Sequence, residues 1–284
     1  VTTYTGAELI RQMDTLKVAP GCLAIWGLGQ MGVALKGDDQ GIVYIDPCLS
    51  NVVVEKAPEL ADKFVRAFPP PLEPEQITNA AYVLCSHEHN DHTDPLTLGP
   101  LAAASPQARF VISGWAQEML DEADIDPARR IVASTDEPLQ LGNLRVTSVP
   151  AAHYECEYDE ARGYRWLGFV IEWNGVTFFH TGDTVIYPGY LDQLRTLPRA
   201  DVAMAAVNGR DAFRDSFNII GNLWPVEAGW LAHELGWDLV LAGHNDLYAW
   251  NTIAPGQIAE GLIRHNPRQK WHVLQPGELL YYVR

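Results

Sequence analysis

The chain has 284 residues, 47% of them hydrophobic and 20% charged, a globular composition that excludes a disordered or fibrous protein. Its 36 acidic residues against 20 basic ones leave a formal charge of −16, and no Lys/Arg run offsets it, so nucleic acid is not an expected partner. Four scattered cysteines without a CxxC pair exclude a disulfide scaffold, and no run of roughly 18 apolar residues or basic leader excludes an expected membrane span or signal peptide; a cytoplasmic location is the expectation.

Thr5 with Glu8 predicts a capping box for an opening helix carrying Leu9, Met13 and Leu16 at helical spacing, ended by Pro20-Gly21. Three β runs follow, Cys22–Gly27, Met31–Lys36 and Ile42–Asp46. Residues 47–80 form a Pro-rich insertion around one helical patch, Ala57–Phe68, and read as a surface connection or, more sharply, as a lid or an oligomer contact. Strand and helix signals then alternate. Ala81–Cys85 is a strand, and Asp94-Pro95 caps a helix to about Ala104. Phe110–Ser113 is a strand before a helix near Trp115–Glu122. Leu144–Val149, Leu167–Trp173 and Val176–His180 are strands, the last two joined by an Asn174-Gly175 turn. Helix Tyr190–Arg195, strand Val202–Val207, helix Pro225–Leu235, strand Leu239–Ala242, helix Pro255–Arg264 and strands Trp271–Leu274 and Leu279–Val283 complete the chain. This alternation predicts sheets covered by helices in a single α/β domain over residues 1–284.

The chemistry concentrates in Ser86-His87-Glu88-His89-Asn90-Asp91-His92-Thr93-Asp94, between the strand Ala81–Cys85 and the helix opened by Asp94. Alternation along an extended segment points His87 and His89 the same way, and the following turn brings Asp91 and His92 towards the same volume. Imidazole and carboxylate are the donors of a borderline divalent cation, and two close groups of them can hold two ions. Three further donors stand where strands end: His153 after Leu144–Val149, Asp183 after Val176–His180, and His244 after Leu239–Ala242.

With these residues in this order, the sequence resembles the metallo-β-lactamase superfamily, whose pattern is HxHxDH followed by a His, an Asp and a last His. The resemblance implies a four-layer αββα sandwich. One metal would be held by His87, His89 and His153, the other by Asp91, His92 and His244, with Asp183 between them. Asp46 matches the Asp of the superfamily's first motif, which orients a ligand histidine. Within the superfamily the chain is similar to the L-ascorbate-6-phosphate lactonase family, through Val18-Ala19-Pro20-Gly21 leading into Ile25-Trp26-Gly27-Leu28-Gly29-Gln30, through His89-Asn90-Asp91-His92, and through His244-Asn245-Asp246-Leu247-Tyr248.

Two divalent ions about 3.5–4 Å apart share a water and lower its pKa from about 15.7 towards about 7, so that hydroxide forms at neutral pH. The expected activity is therefore dinuclear hydrolysis of a lactone or related ester, including that of a phosphorylated sugar acid, by metal-bound hydroxide, with Asp91 and Asp183 as the catalytic carboxylates. A metal-dependent phosphodiesterase is the alternative. Five His and two Asp suit Mn²⁺ or Zn²⁺, and the family resemblance tilts towards manganese. The expected partner is a small molecule, with an anionic one served by Arg210 and Arg214 and the pocket walled by Tyr248; Arg162 and Arg165 are further cationic candidates. Homo-oligomerisation stays open. His180 is expected to be a packed, hydrogen-bonded histidine, or else a support for the site.

Overall fold

The longest β runs carry apolar residues at nearly every position instead of at alternate ones, which requires both faces of the sheet to be covered. In the computed structural model, which describes residues 1–284, they are. The strands are β1 Cys22–Gly29, β2 Gly32–Lys36, β3 Ile42–Ile45, β4 Ala80–Cys85, β5 Arg109–Ile112, β6 Arg130–Val132, β7 Leu139–Leu141 and β8 Leu144–Pro150. They continue with β9 Tyr158–Asp159, β10 Gly163–Tyr164, β11 Leu167–Trp173, β12 Val176–His180, β13 Val202–Ala206, β14 Leu239–Gly243, β15 Lys270–His272 and β16 Leu279–Val283. One seven-stranded sheet has the order β16-β1-β2-β3-β4-β5-β6 and the other β15-β14-β13-β12-β11-β8-β7, with β9 and β10 a separate ribbon. Both are mixed. β3 to β6 run parallel in the first and β12 to β15 parallel in the second, while the remaining neighbours pair antiparallel.

Three layers of apolar side chains hold the sheets and helices together. Leu23, Ile25 and Val33 of the first sheet meet Phe169, Ile171 and Phe178 of the second in the middle layer. On the outer face of the first sheet, Ala24 and Trp26 pack with Leu9 and Met13 of helix Gly6–Thr15 and with Leu98 and Leu101 of helix Pro95–Ala104. The second sheet turns Phe179 and Val240 outward against Leu231 of helix Pro225–Leu235 and Leu262 of helix Pro255–Ile263. The result is the αββα sandwich expected from the sequence. Each fully buried Leu, Ile or Phe contributes roughly 1.5–3 kcal/mol. No helix is long and apolar enough to cross a membrane.

Local differences from the sequence-based expectations have physical causes. Thr5 precedes the first helix but makes no side-chain cap, so the capping box does not form. The helical patch Ala57–Phe68 is instead three short pieces, Val52–Lys56, Pro58–Leu60 and Ala61–Phe64, because Pro58 has no N–H with which to continue the preceding turn. Asp94 behaves as expected, its carboxylate accepting from the N–H groups of Leu96 and Thr97. Asn174 and Gly175 both have positive φ, as a two-residue hairpin of that sequence requires.

Candidate metal centre

Loops leaving β3, β4, β8, β12 and β14 deliver Asp46, the 86–92 segment, His153, Asp183 and His244 to one buried cluster. His87, His89, His153 and Asp183 form one donor set, and Asp91, His92 and His244 another; within each, the donor atoms lie within 4.8 Å of one another. Asp183 reaches both. Its Oδ2 is 3.6 Å from His153 Nε2 and 3.1 Å from His244 Nε2, and its Oδ1 is 3.3 Å from His92 Nε2.

Backbone geometry fixes this convergence. Gly182, at φ 59°, lies so close to β11 that a Cβ would sit 2.1 Å from the Leu167 carbonyl oxygen, and only glycine lets the chain turn there to present Asp183. Asp46 (φ 44°), Gln30 (φ 57°) and His244 (φ 59°) are non-glycine residues in left-handed backbone, an uncommon conformation that clusters at functional sites.

Asp46 is fully buried and binds three donors. The Ser86 N–H and Oγ donate to it at 2.7 and 2.6 Å, and His92 Nδ1 lies 2.7 Å from its Oδ2. That contact keeps a proton on His92 Nδ1 and turns Nε2 towards Asp183. Sequence reasoning gave no role to Gln30, whose Nε2 donates to Asp91 Oδ2 at 2.8 Å and lies 3.1 Å from His244 Nε2. Its one sequence signal is position, at the tight turn between β1 and β2. Trp166, also unforeseen, places its ring 5.0–5.1 Å from the rings of His87, His89 and His153 and walls one side of the first set.

Burial pushes the imidazoles of His87, His89 and His153 below their ordinary range, the last to about 3, so all three are neutral and available as donors. Burial also opposes charge on His92 and His244, but Asp183 and Asp91 beside them win; His92 is raised well above its usual value and His244 to about 9. For the carboxyls of Asp91 and Asp183 burial alone would raise the pKa, and the neighbouring imidazoles of His92 and His244 hold both below the usual range.

The donor chemistry fits divalent metal. His87 Nε2, His92 Nε2 and Asp183 Oδ1 are buried without a hydrogen-bond partner, a costly arrangement for three polar atoms aimed into one space. Imidazole and carboxylate groups within 4.8 Å of one another, as in each set, are the kind and number of donors that a borderline divalent ion takes.

The cluster opens into a cleft of about 260 Å³. Tyr248 lines it, as expected. Arg210 and Arg214 do not: Arg210 is bidentate to Glu227 at 2.7 Å, and Arg214 is bonded to Asp211 at 2.7 Å and to Asn251 at 2.8 Å. Arg165 is held by Glu88 at 2.6 Å and by Glu157, and stacks on Trp166, while Arg162 lies over Trp115. His180 is buried, its Nε2 2.9 Å from the Met31 carbonyl and its Nδ1 accepting from the Gly182 N–H, which makes it a packed histidine beneath the site.

The sequence model of the Beta-lactamase superfamily domain matches residues 42–245. The chain belongs to the metallo-β-lactamase superfamily. That match begins at β3 and ends just after His244, enclosing every donor of the cluster. Among similar proteins, a UPF0173 metal-dependent hydrolase of Methanoculleus marisnigri is 32% identical over 121 residues, 39% of this chain and 49% of that one. A UPF0173 metal-dependent hydrolase of Anaeromyxobacter sp. (strain K) is 27% identical over 205 residues, 68% of this chain and 67% of that one. The chain thus spans about half the length of the first relative and two thirds of the second. In fold it is similar to Igni18, a metallo hydrolase of Ignicoccus hospitalis, with a TM-score of 0.65 and 17% identity, covering 93% of this chain and 99% of that one.

Proposed function

We propose that this superfamily member is a metal-dependent hydrolase with a dinuclear centre that opens a lactone or related ester. The observation that carries the reading is the pair of donor sets joined by Asp183 at the head of a cleft. The names of its UPF0173 relatives support the metal-dependent hydrolase part of that reading alone. His87, His89 and His153 would hold one ion and Asp91, His92 and His244 the other, with Mn²⁺ or Zn²⁺ suiting this mixture of imidazole and carboxylate. Divalent ions bound there supply Lewis acidity towards an ester carbonyl and acidify water.

The chain's own residues do the rest. Asp46 and Ser86 fix the ring of His92, so its Nε2 faces Asp183 without searching rotamers. Asp91 is anchored by Gln30 in the cleft lining, where its carboxylate can accept a hydrogen bond from the attacking water and relay the proton to a leaving alkoxide. Trp166 and the packed sheet behind the histidines keep bulk water off one flank. No side chain of the cleft has the setting of a serine or cysteine nucleophile, since Cys85 is buried in β4 and Ser86 is committed to Asp46.

The test is a panel of lactones and simple esters against bis(p-nitrophenyl) phosphate, with Mn²⁺ or Zn²⁺ supplied. Lactone or ester turnover is expected, with Asp183→Ala losing both turnover and metal retention. Dominant phosphodiester cleavage would replace the reading.

A further inference from the structure

Fifteen residues line the cleft, and none is a lysine or an arginine. Part of the lining is apolar: Val53, Leu60 and Phe64 from the Pro-rich insertion, with Ile219 and Ile220. The other groups bordering it besides the metal donors include the uncharged amides of Asn90, Asn218 and Asn251.

None of the nearby lysine and arginine side chains is among the residues that line the cleft. Arg66 Nη1 donates to the carbonyls of Cys48 and Ser50 at 3.1 and 3.0 Å, and its Nη2 is buried without a hydrogen-bond partner. Lys63 Nζ lies 5.4 and 5.1 Å from the ring centroids of Phe217 and Trp250 and 3.1 Å from Asp62, which pins the insertion to the 213–217 and 248–251 segments. Arg214 is insulated from the cleft by Asn251, whose Oδ1 it shares with Asn208.

Taking the cleft as the site of the proposed hydrolase, we infer that it selects an uncharged substrate whose acyl or alkoxy group lies against the wall of Val53, Leu60, Phe64 and Ile219. A phosphate or carboxylate on that arm would lose its hydration against apolar side chains, with no lysine or arginine in the lining to receive it. An alkyl arm gains there, at about fourfold in affinity for each methylene fully removed from water. The small volume suits a short arm, not a long lipid chain.

The test uses two non-hydrolysable lactams of matched size, N-butyl-2-pyrrolidinone and 4-(2-oxopyrrolidin-1-yl)butanoate. Their binding to the Mn²⁺-loaded protein is measured by calorimetry, in parallel with turnover of p-nitrophenyl butyrate and p-nitrophenyl hemisuccinate. The neutral lactam is expected to bind tighter by about tenfold or more. Leu60→Lys should reverse that order, and Val53→Lys does the same duty should the first variant fail to fold. Binding of the anionic lactam as tight as the neutral one, binding of neither, or a preference unchanged by both lysine variants would overturn the inference. If the lactam order and its reversal hold while neither ester turns over, the substrate-class inference stands and the hydrolase reading falls.

Discussion

Asp46 shows how much one side chain can be asked to do. Its left-handed backbone, complete burial and three donors make it the anchor of His92, and no other residue type meets all three demands. Asn is the informative replacement because it tolerates the same backbone and has the same size. Its NH₂ would donate towards His92 Nδ1, shifting the imidazole proton to Nε2 and blocking the nitrogen that faces Asp183. Asp46→Asn should weaken metal binding on the order of 10- to 100-fold in a chelator competition, with the circular dichroism unchanged. Unaltered affinity would deny Asp46 the orienting role.

At this scale the donors were legible because His and Asp at strand ends are conspicuous. Gln30 was not, since glutamine is ordinary at a turn and its partner Asp91 is 61 positions away. Arg210 was misleading for a related reason, since Glu227 lies 17 positions further on, whereas Arg214 is held both by Asp211, three positions before it, and by Asn251, 37 positions after it.

Among the elements, those with several turns or strand periods were readable from apolar spacing: β11, β12, β16 and the helices Tyr190–Arg195 and Pro225–Leu235 have the boundaries expected from sequence. Two- and three-residue strands such as β6, β7, β9 and β10 carry too few positions to establish a period. The Arg210–Glu227 pair ties the loop after β13 to the first turn of helix Pro225–Leu235, where Glu227 also accepts from the Trp224 N–H. Burial alone would raise the Glu227 carboxyl, and Arg210 with that N–H pulls it below its ordinary value of 4.5. A carboxyl depressed in the folded state contributes stability that is complete above its unfolded value and lost as pH falls through the folded one. Glu227→Gln should therefore cost about 1–2 kcal/mol in urea unfolding at neutral pH, and clearly less at pH 3, below the carboxyl's unfolded value. An equal cost at both pH values would contradict this account of the pair.

For the whole molecule, strands apolar on both faces dictate an inter-sheet core and two helical coats, and that much of the αββα sandwich follows from composition along the strands. What the chain alone could not give is the lining of the cleft, because Val53, Leu60 and Phe64 reach it only after the Pro-rich insertion has folded back beside Ile219. The net charge of −16 also acquires a location, since Asp46, Asp91 and Asp183 gather at one point. Metal bound there would stabilise the folded chain by mass action, because the unfolded chain scatters the donors. Metal analysis of the purified protein after loading with Mn²⁺ or Zn²⁺ and exhaustive dialysis, read beside its thermal unfolding, tests this most directly. The expected result is about two ions per chain for the wild type and a clear loss for Asp183→Ala, with unfolding shifted upward by metal and back by chelator. A wild-type chain that retains no metal and unfolds at the same temperature with and without it would contradict the account.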